Sequence, residues 1–286
     1  MMGYTTFRTS VLDNFANYLR KYPKASRVGA GTYNHRGEIK PYSHILADKN
    51  NAKNIGDNFI CATDYQTIAS SRLHFHRLAH HLNSSQIMCM NFFIKLIDSD
   101  QHKDYLLTLI STRLHIPTEG KTIKDCFFEY EPCSKEKTNF DFYVRLSDGT
   151  EIFWEIKYTE KDFAKISKTA RKQKNYKDKF SDIYASKLKS SCYLGKLTES
   201  EFFDNYQIYR NISYIQGPKQ YCVFLFPFAN TSLDNQINKI VGINTWSNVK
   251  CIDWKDIYNL LTAIIKNGDP TTKSYYTEFY DKYLKY

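Results

Sequence analysis

Glycine and proline are scarce, 11 and 7 in 286 residues. That leaves little room for glycine-rich phosphate cradles, and no P-loop, dinucleotide-binding glycine pattern, nucleophile elbow or EF-hand loop occurs. The seven cysteines, at 61, 89, 126, 133, 192, 222 and 251, form no Cys-x-x-Cys pair. Their odd number and irregular spacing suggest neither a disulfide framework nor a zinc ribbon. Reduced thiols fit a cytoplasmic setting. No apolar run approaches the ~20 residues of a membrane span, and no basic-then-apolar signal region follows Met1. The expectation is a soluble, cytoplasmic protein with no membrane partner. A His-Glu-x-x-His pattern is also missing, which argues against a zinc protease. No internal repeat or low-complexity tract is present.

What is abundant is aromatic and basic. The chain holds 23 Tyr and 19 Phe, its hydrophobic content is 42%, and its net charge is +10. The apolar share is enough for a substantial core. The charge favours an anionic partner, nucleic acid more often than a membrane surface, although many basic proteins have neither.

The coarse order of elements follows from periodicity. Val11, Leu12, Phe15 and Leu19 make a helical stripe over 8–21. Residues 24–60 are polar and read as loops. Helices are expected over 64–98 and 103–114, then strands over 125–158, and a basic helical stretch over 160–190. A further helix follows over 199–215. Tyr221 to Phe226 is continuously apolar, as a buried central strand is. Val249 to Trp254 is another short strand, and helices over 254–266 and 274–285 close the chain. The fold class is therefore α/β, a mixed sheet flanked by helices.

The most informative segment runs from Thr138 to Tyr158. Even positions 140–146 are Phe, Phe, Val and Leu, and even positions 152–158 are Ile, Trp, Ile and Tyr. Strict alternation predicts two half-buried strands, with Asp141, Glu155 and Lys157 on the odd face. Directly opposed residues share a face, so paired numbers must sum to an even value. A two-residue Asp148-Gly149 loop violates this. A three-residue loop, Ser147-Asp148-Gly149, pairs 146 with 150 and places Gly149 in the left-handed position. In that register Asp141 opposes Glu155. Opposed like charges destabilise a sheet, and a divalent cation with hard oxygen ligands would relieve them. A solvated strand face with one Glu–Lys pair is the alternative.

Asp141 followed by Glu155-Ile156-Lys157 resembles the metal-binding signature of the PD-(D/E)XK nuclease superfamily. Phe140 stands where that signature often has proline. His80-His81-Leu82-Asn83-Ser84-Ser85-Gln86 resembles a helix of a bacterial family of restriction-type nucleases within it. Ser43-His44-Ile45-Leu46, Phe128-Glu129-Tyr130 and Gln207-Ile208-Tyr209-Arg210-Asn211 are similar to further landmarks of that family. The resemblance implies a restriction-endonuclease-like core over 61–286, with a helical and loop extension over 1–60 packed on it and helical C-terminal additions. It implies Mg²⁺ held by Asp141, Glu155 and the Ile156 carbonyl, with Mn²⁺ as a substitute and Lys157 orienting the attacking water.

Other constellations are weighed beside it. Glu129 and Glu131, on a strand over Cys126–Glu131, share parity, and the resemblance favours Glu129 as a third carboxylate. An exposed acidic strand end is the alternative. Gln207 and Arg210 lie one helical turn apart. They would hold a water and a phosphate, or simply form a polar helix face. His74, His76, His80 and His81 cluster with Arg72 and Arg77, as structural or phosphate-facing groups. Lys165, Lys168, Arg171, Lys172 and Lys174 open a basic run that would track a DNA backbone or remain a solvated face. Tyr176, Phe180 and Tyr184 make a packing stripe within it. The implied activity is Mg²⁺-dependent cleavage of double-stranded DNA by a homodimeric, type II-like restriction endonuclease, with a cognate methyltransferase as a possible partner. A repair nuclease or exonuclease, an RNA-processing nuclease and a non-catalytic nucleic-acid-binding protein are the alternatives.

Overall fold

A computed structural model of the chain describes residues 3–22, 32–48, 52–71, 73–136, 138–191, 194, 197–242, 246–267 and 269–286. They fall into two compact units, Met1–Thr118 with Trp254–Tyr286, and Glu119–Asp253.

The first unit is helical apart from one hairpin. It comprises α1 (Tyr4–Lys21), the strands β1 (Thr32–His35) and β2 (Glu38–Pro41), α2 (Ala62–Ser70), α3 (Ser85–Ile97) and α4 (Asp100–Leu114). The β1–β2 hairpin replaces part of the loop expected over 24–60. In α1 the stripe is Phe7, Val11 and Phe15, all fully buried, with Leu19 nearly so. The helix expected over 64–98 is two helices. Between them Ile45 bridges His81, and the Leu82 N–H donates to the His44 carbonyl at 2.8 Å. His80 therefore ends a turn over 77–80 and His81 sits in the bridge, so α-helical spacing between His76 and His80 does not apply. Ser84 caps α3 by accepting from the Ile87 N–H, and the Gln86 side chain ties the backbones of His74 and His76. Arg72 lies outside the described residues.

The second unit is built on a mixed sheet of β3 (Ile123–Tyr130), β4 (Phe140–Leu146), β5 (Glu151–Ile156), β6 (Gln220–Phe226) and β7 (Val249–Asp253), in the order β3-β4-β5-β6-β7. The first three strands are antiparallel, and β6 and β7 run parallel to β5. The apolar run of β6 forms an interior strand between β5 and β7, and Cys222 to Phe226 are fully buried. The helices α5 (Lys168–Arg171), α6 (Lys174–Lys179), α7 (Ala185–Ser190), α8 (Glu199–Asp204), α9 (Tyr206–Ile212) and α10 (Thr231–Asn238) belong to the same unit. The expected continuous helix over 160–190 is broken, with one π-helical turn over Phe180–Tyr184 between α6 and α7. Tyr176, Phe180 and Tyr184 pack on Phe202 and Phe203. Back in the first unit, α11 (Trp254–Ile264) and α12 (Pro270–Tyr283) end the chain. Among the described residues no helix is long and apolar enough to cross a membrane.

The β4–β5 hairpin has the expected register. Phe142 faces Trp154 and Val144 faces Ile152, the Leu146 N–H donates to the Thr150 carbonyl at 2.8 Å, and Gly149 has φ +83°. The odd face, however, is not solvated. Tyr143 and Phe153 join one apolar cluster with Phe163, Phe202, Phe203 and Ile208, while Val144, Ile152 and Trp154 are fully buried on the even face. Gly149→Val forces a β-branched residue into left-handed backbone and should cost about 1–2 kcal/mol. Urea denaturation should show this loss, with Gly149→Asn losing less.

Candidate active site

Three elements converge at the ends of β4 and β5. The first is Asp141, half-buried on β4. Its Oδ2 accepts from the Ile156 N–H at 2.6 Å. Burial, and then the facing Glu155, push this carboxyl well above its ordinary value of 3.8; Lys157 and the Ile156 amide pull it back, and Glu129 adds to the rise. Glu129 thus stands close enough to Asp141 to be felt, and it has φ +50°. That positive φ breaks the alternation from which Glu129 and Glu131 were expected on one face, and β3 ends at Tyr130, before Glu131. Asn139 donates to Glu129 Oε2 at 3.3 Å.

The second element is Glu155, whose side chain is 3% exposed. Four donors surround its carboxylate. Oε1 accepts from Lys157 Nζ at 2.8 Å and from Gln207 Nε2 at 2.6 Å. Oε2 accepts from Asn211 Nδ2 at 2.7 Å and from Arg210 Nη2 at 3.4 Å. Such charge-assisted bonds offset the cost of burying the carboxylate. Lys157 is 12% exposed. Burial alone would lower its pKa, but Glu155, Glu160 and Asp141 outweigh that and hold the ammonium above its ordinary range.

The third element is α9, which supplies Gln207, Arg210 and Asn211. Gln207 is fixed from both ends, since its Oε1 accepts from the Ala164 N–H at 3.0 Å. Arg210 is buried. Its Nε donates to Asn211 Oδ1 at 2.8 Å and its Nη2 to the Asn139 carbonyl at 3.3 Å. Beyond β5, Glu160 accepts from the Tyr158 N–H at 2.6 Å, and Asn230 donates to the carbonyls of Tyr158 and Glu160 at 3.2 and 2.9 Å.

Asn211, Glu160 and Asn230 carry no mark in the sequence beyond the Gln207–Asn211 landmark. An asparagine beside the last expected site residue of a helix was the available signal. Of the basic run, Lys165, Lys168 and Lys172 are exposed. Arg171 is committed to Asp204 at 2.5 Å and to the Ile166 carbonyl at 2.9 Å. Lys174 opens α6, and its side chain lies outside the described residues.

The donor set suits a hard cation. Its members are carboxylate and carbonyl oxygens, and Asp141 is raised by burial and then by two neighbouring carboxylates. Among the described residues no group of three or more His, Cys, Asp or Glu side chains is arranged to hold a metal. Magnesium is commonly bound through one or two carboxylates plus substrate phosphates rather than an all-protein cage; Asp141 and Glu155 are of that type, and a metal on Glu155 would displace one of its four protein donors.

The elevated Asp141 pKa has a stability consequence. A carboxyl with a higher pKa in the fold than in the unfolded chain contributes stability that is complete below the unfolded value. That contribution is lost as pH rises through the folded one. Asp141→Asn keeps the acceptor for Ile156 and removes the charge. It should raise the thermal midpoint in metal-free neutral buffer by about 2–4 °C, and the gain should vanish below about pH 3.9. Calorimetry across pH checks both.

No curated protein and no solved structure significantly matches the chain. The sequence profile of the family described as "Restriction Endonuclease associating with ARP" matches residues 26–284. A two-carboxylate, one-lysine cluster on adjacent antiparallel strands and a profile match over most of the chain lead to one statement: the protein belongs to that restriction endonuclease family.

Proposed function

We propose that this chain is a Mg²⁺-dependent endonuclease that hydrolyses phosphodiester bonds of double-stranded DNA, as a homodimeric type II-like restriction enzyme. The observation that carries the reading is Asp141 on β4 beside Glu155 on β5 and Lys157 just past its end. Asp141, Glu155 and the Ile156 carbonyl would hold the metal. When bound, magnesium supplies charge neutralisation at the phosphate and a more acidic water.

The chain's own residues do the rest. Gln207 and Asn211 hold Glu155 from α9, one on each oxygen. Lys157 remains an ammonium at neutral pH, because the acids around it raise its pKa. It is therefore placed to orient the attacking water and offset charge at the scissile phosphate, and does not serve as the base. The exposed Lys165, Lys168 and Lys172 supply a phosphate-tracking surface. Cutting both strands of a palindromic site takes two such centres, hence the dimer. A methyltransferase that shields host DNA completes the proposal.

One observation favours a second reading. All four donors around Glu155 come from the protein, as a non-catalytic nucleic-acid-binding relative would also have. Binding without cleavage in Mg²⁺, Mn²⁺ and Co²⁺ would select it. The deciding experiment is plasmid DNA with Mg²⁺ followed by end sequencing. Fragments with a common end sequence are expected, and progressive degradation or preference for RNA would redirect the assignment. Asp141→Ala and Lys157→Ala should each lower cleavage by at least about a hundredfold, with circular dichroism unchanged. Normal cutting by Lys157→Ala would refute the mechanism.

A further inference from the structure

A second buried acid lies behind the site, and neither the nuclease signature nor the proposed reaction uses it. Glu136, in the β3–β4 connection, is 0% exposed. The hydroxyls of Tyr184 and Tyr214 donate to its two oxygens, one each. Tyr184 in turn shares a hydrogen bond with Tyr206 at 2.8 Å. Lys179 Nζ donates to the Glu136 carbonyl at 2.7 Å. Arg210 Nε approaches Glu136 Oε1 to 4.0 Å, while Nη2 of the same guanidinium reaches Glu155 at 3.4 Å. One arginine therefore stands between two buried carboxylates, and only Glu155 belongs to the candidate metal site. Tyr184 ends the π-helical turn, an irregularity of the kind that re-aims a side chain at functional sites.

We propose that Glu136 is a positioning residue for the reaction: held by Tyr184 and Tyr214, it shares the charge of Arg210 and so leaves Glu155 able to take a divalent cation. The inference rests on the nuclease reading. Two charges of opposite sign that close inside a protein attract strongly. Without Glu136, the guanidinium has one acid left to face, and Glu155 becomes its full partner. The added positive potential and the tighter Arg210–Glu155 contact both oppose cation binding. Two tyrosine donors keep Glu136 fixed, so the sharing is built into the fold and does not wait for substrate. The same residue joins the site to the basic segment, because Lys179 and Tyr184 both come from 174–190.

The test uses Mn²⁺ binding followed by electron paramagnetic resonance on the full chain, without DNA, alongside steady-state cleavage in Mg²⁺. Glu136→Gln should bind Mn²⁺ about tenfold more weakly and lose kcat, with KM for DNA unchanged. Tyr214→Phe keeps the charge and loosens the clamp. It should lower kcat severalfold with a smaller change in Mn²⁺ affinity. A folded Glu136→Gln protein with wild-type Mn²⁺ affinity overturns the proposal. If that variant does not fold, a Tyr214→Phe protein with wild-type kcat and Mn²⁺ affinity overturns it equally. Failure of the wild-type protein itself to bind Mn²⁺ defeats the metal site and this inference together. Normal binding by both wild type and Glu136→Gln defeats only the role of Glu136.

Discussion

The buried carboxylate of Glu155 is the constraint from which the rest of the site follows. An ionised acid at 3% exposure is costly unless donors surround it. Here Lys157 directly follows the same strand, and Gln207, Arg210 and Asn211 come from α9. The position of α9 against the sheet is thereby tied to one side chain of β5. The connection between β5 and α5 is tied to α9 as well, through the exchange between Gln207 and Ala164.

Charge balance then explains the neighbours. Asp141, Glu155 and Glu160 are gathered around Lys157, Glu129 acts on Asp141, and Arg210 lies between Glu155 and Glu136. Burial, and after it the neighbouring acids Glu155 and Glu129, raise the Asp141 carboxyl. Stored repulsion of this kind is characteristic of sites that expect a cation or an ionic substrate. The cluster sits where the sheet is covered on both sides, with Phe153 and Tyr143 on one face and Trp154 and Val144 on the other. Low local polarity strengthens each of these interactions.

Much of this was legible in the sequence, and the reasons are specific. Period-two alternation with a Ser-Asp-Gly turn determined the register of β4 and β5, so Asp141, Glu155 and Lys157 could be placed by parity alone. The uninterrupted apolar run of β6 marked a strand buried on both faces. What alternation could not show was that Tyr143 and Phe153, on the polar face, were themselves covered; aromatic residues suit both situations. The π-helical turn at Phe180–Tyr184 has no breaker residue to announce it. Positive φ at Glu129 is a backbone event that glutamate does not advertise. Long-range partners were also hidden. Nothing local to Arg210 indicates that it lies between Glu155, 55 positions away, and Glu136. The His44–His81 region misled in the opposite direction, since a histidine-rich stretch that looked helical is a turn leading into a single bridge at His81, with His44 and His81 each lowered to about 4 chiefly by burial.

The most direct test of the central claim is the location of a bound cation. In an ¹⁵N–¹H spectrum of the labelled protein, substoichiometric Mn²⁺ broadens amides near the ion. The account predicts that the amides of Asp141, Glu155, Ile156 and Lys157 broaden first. Sharp signals from those four, with broadening confined to another part of the chain or absent altogether, would contradict it.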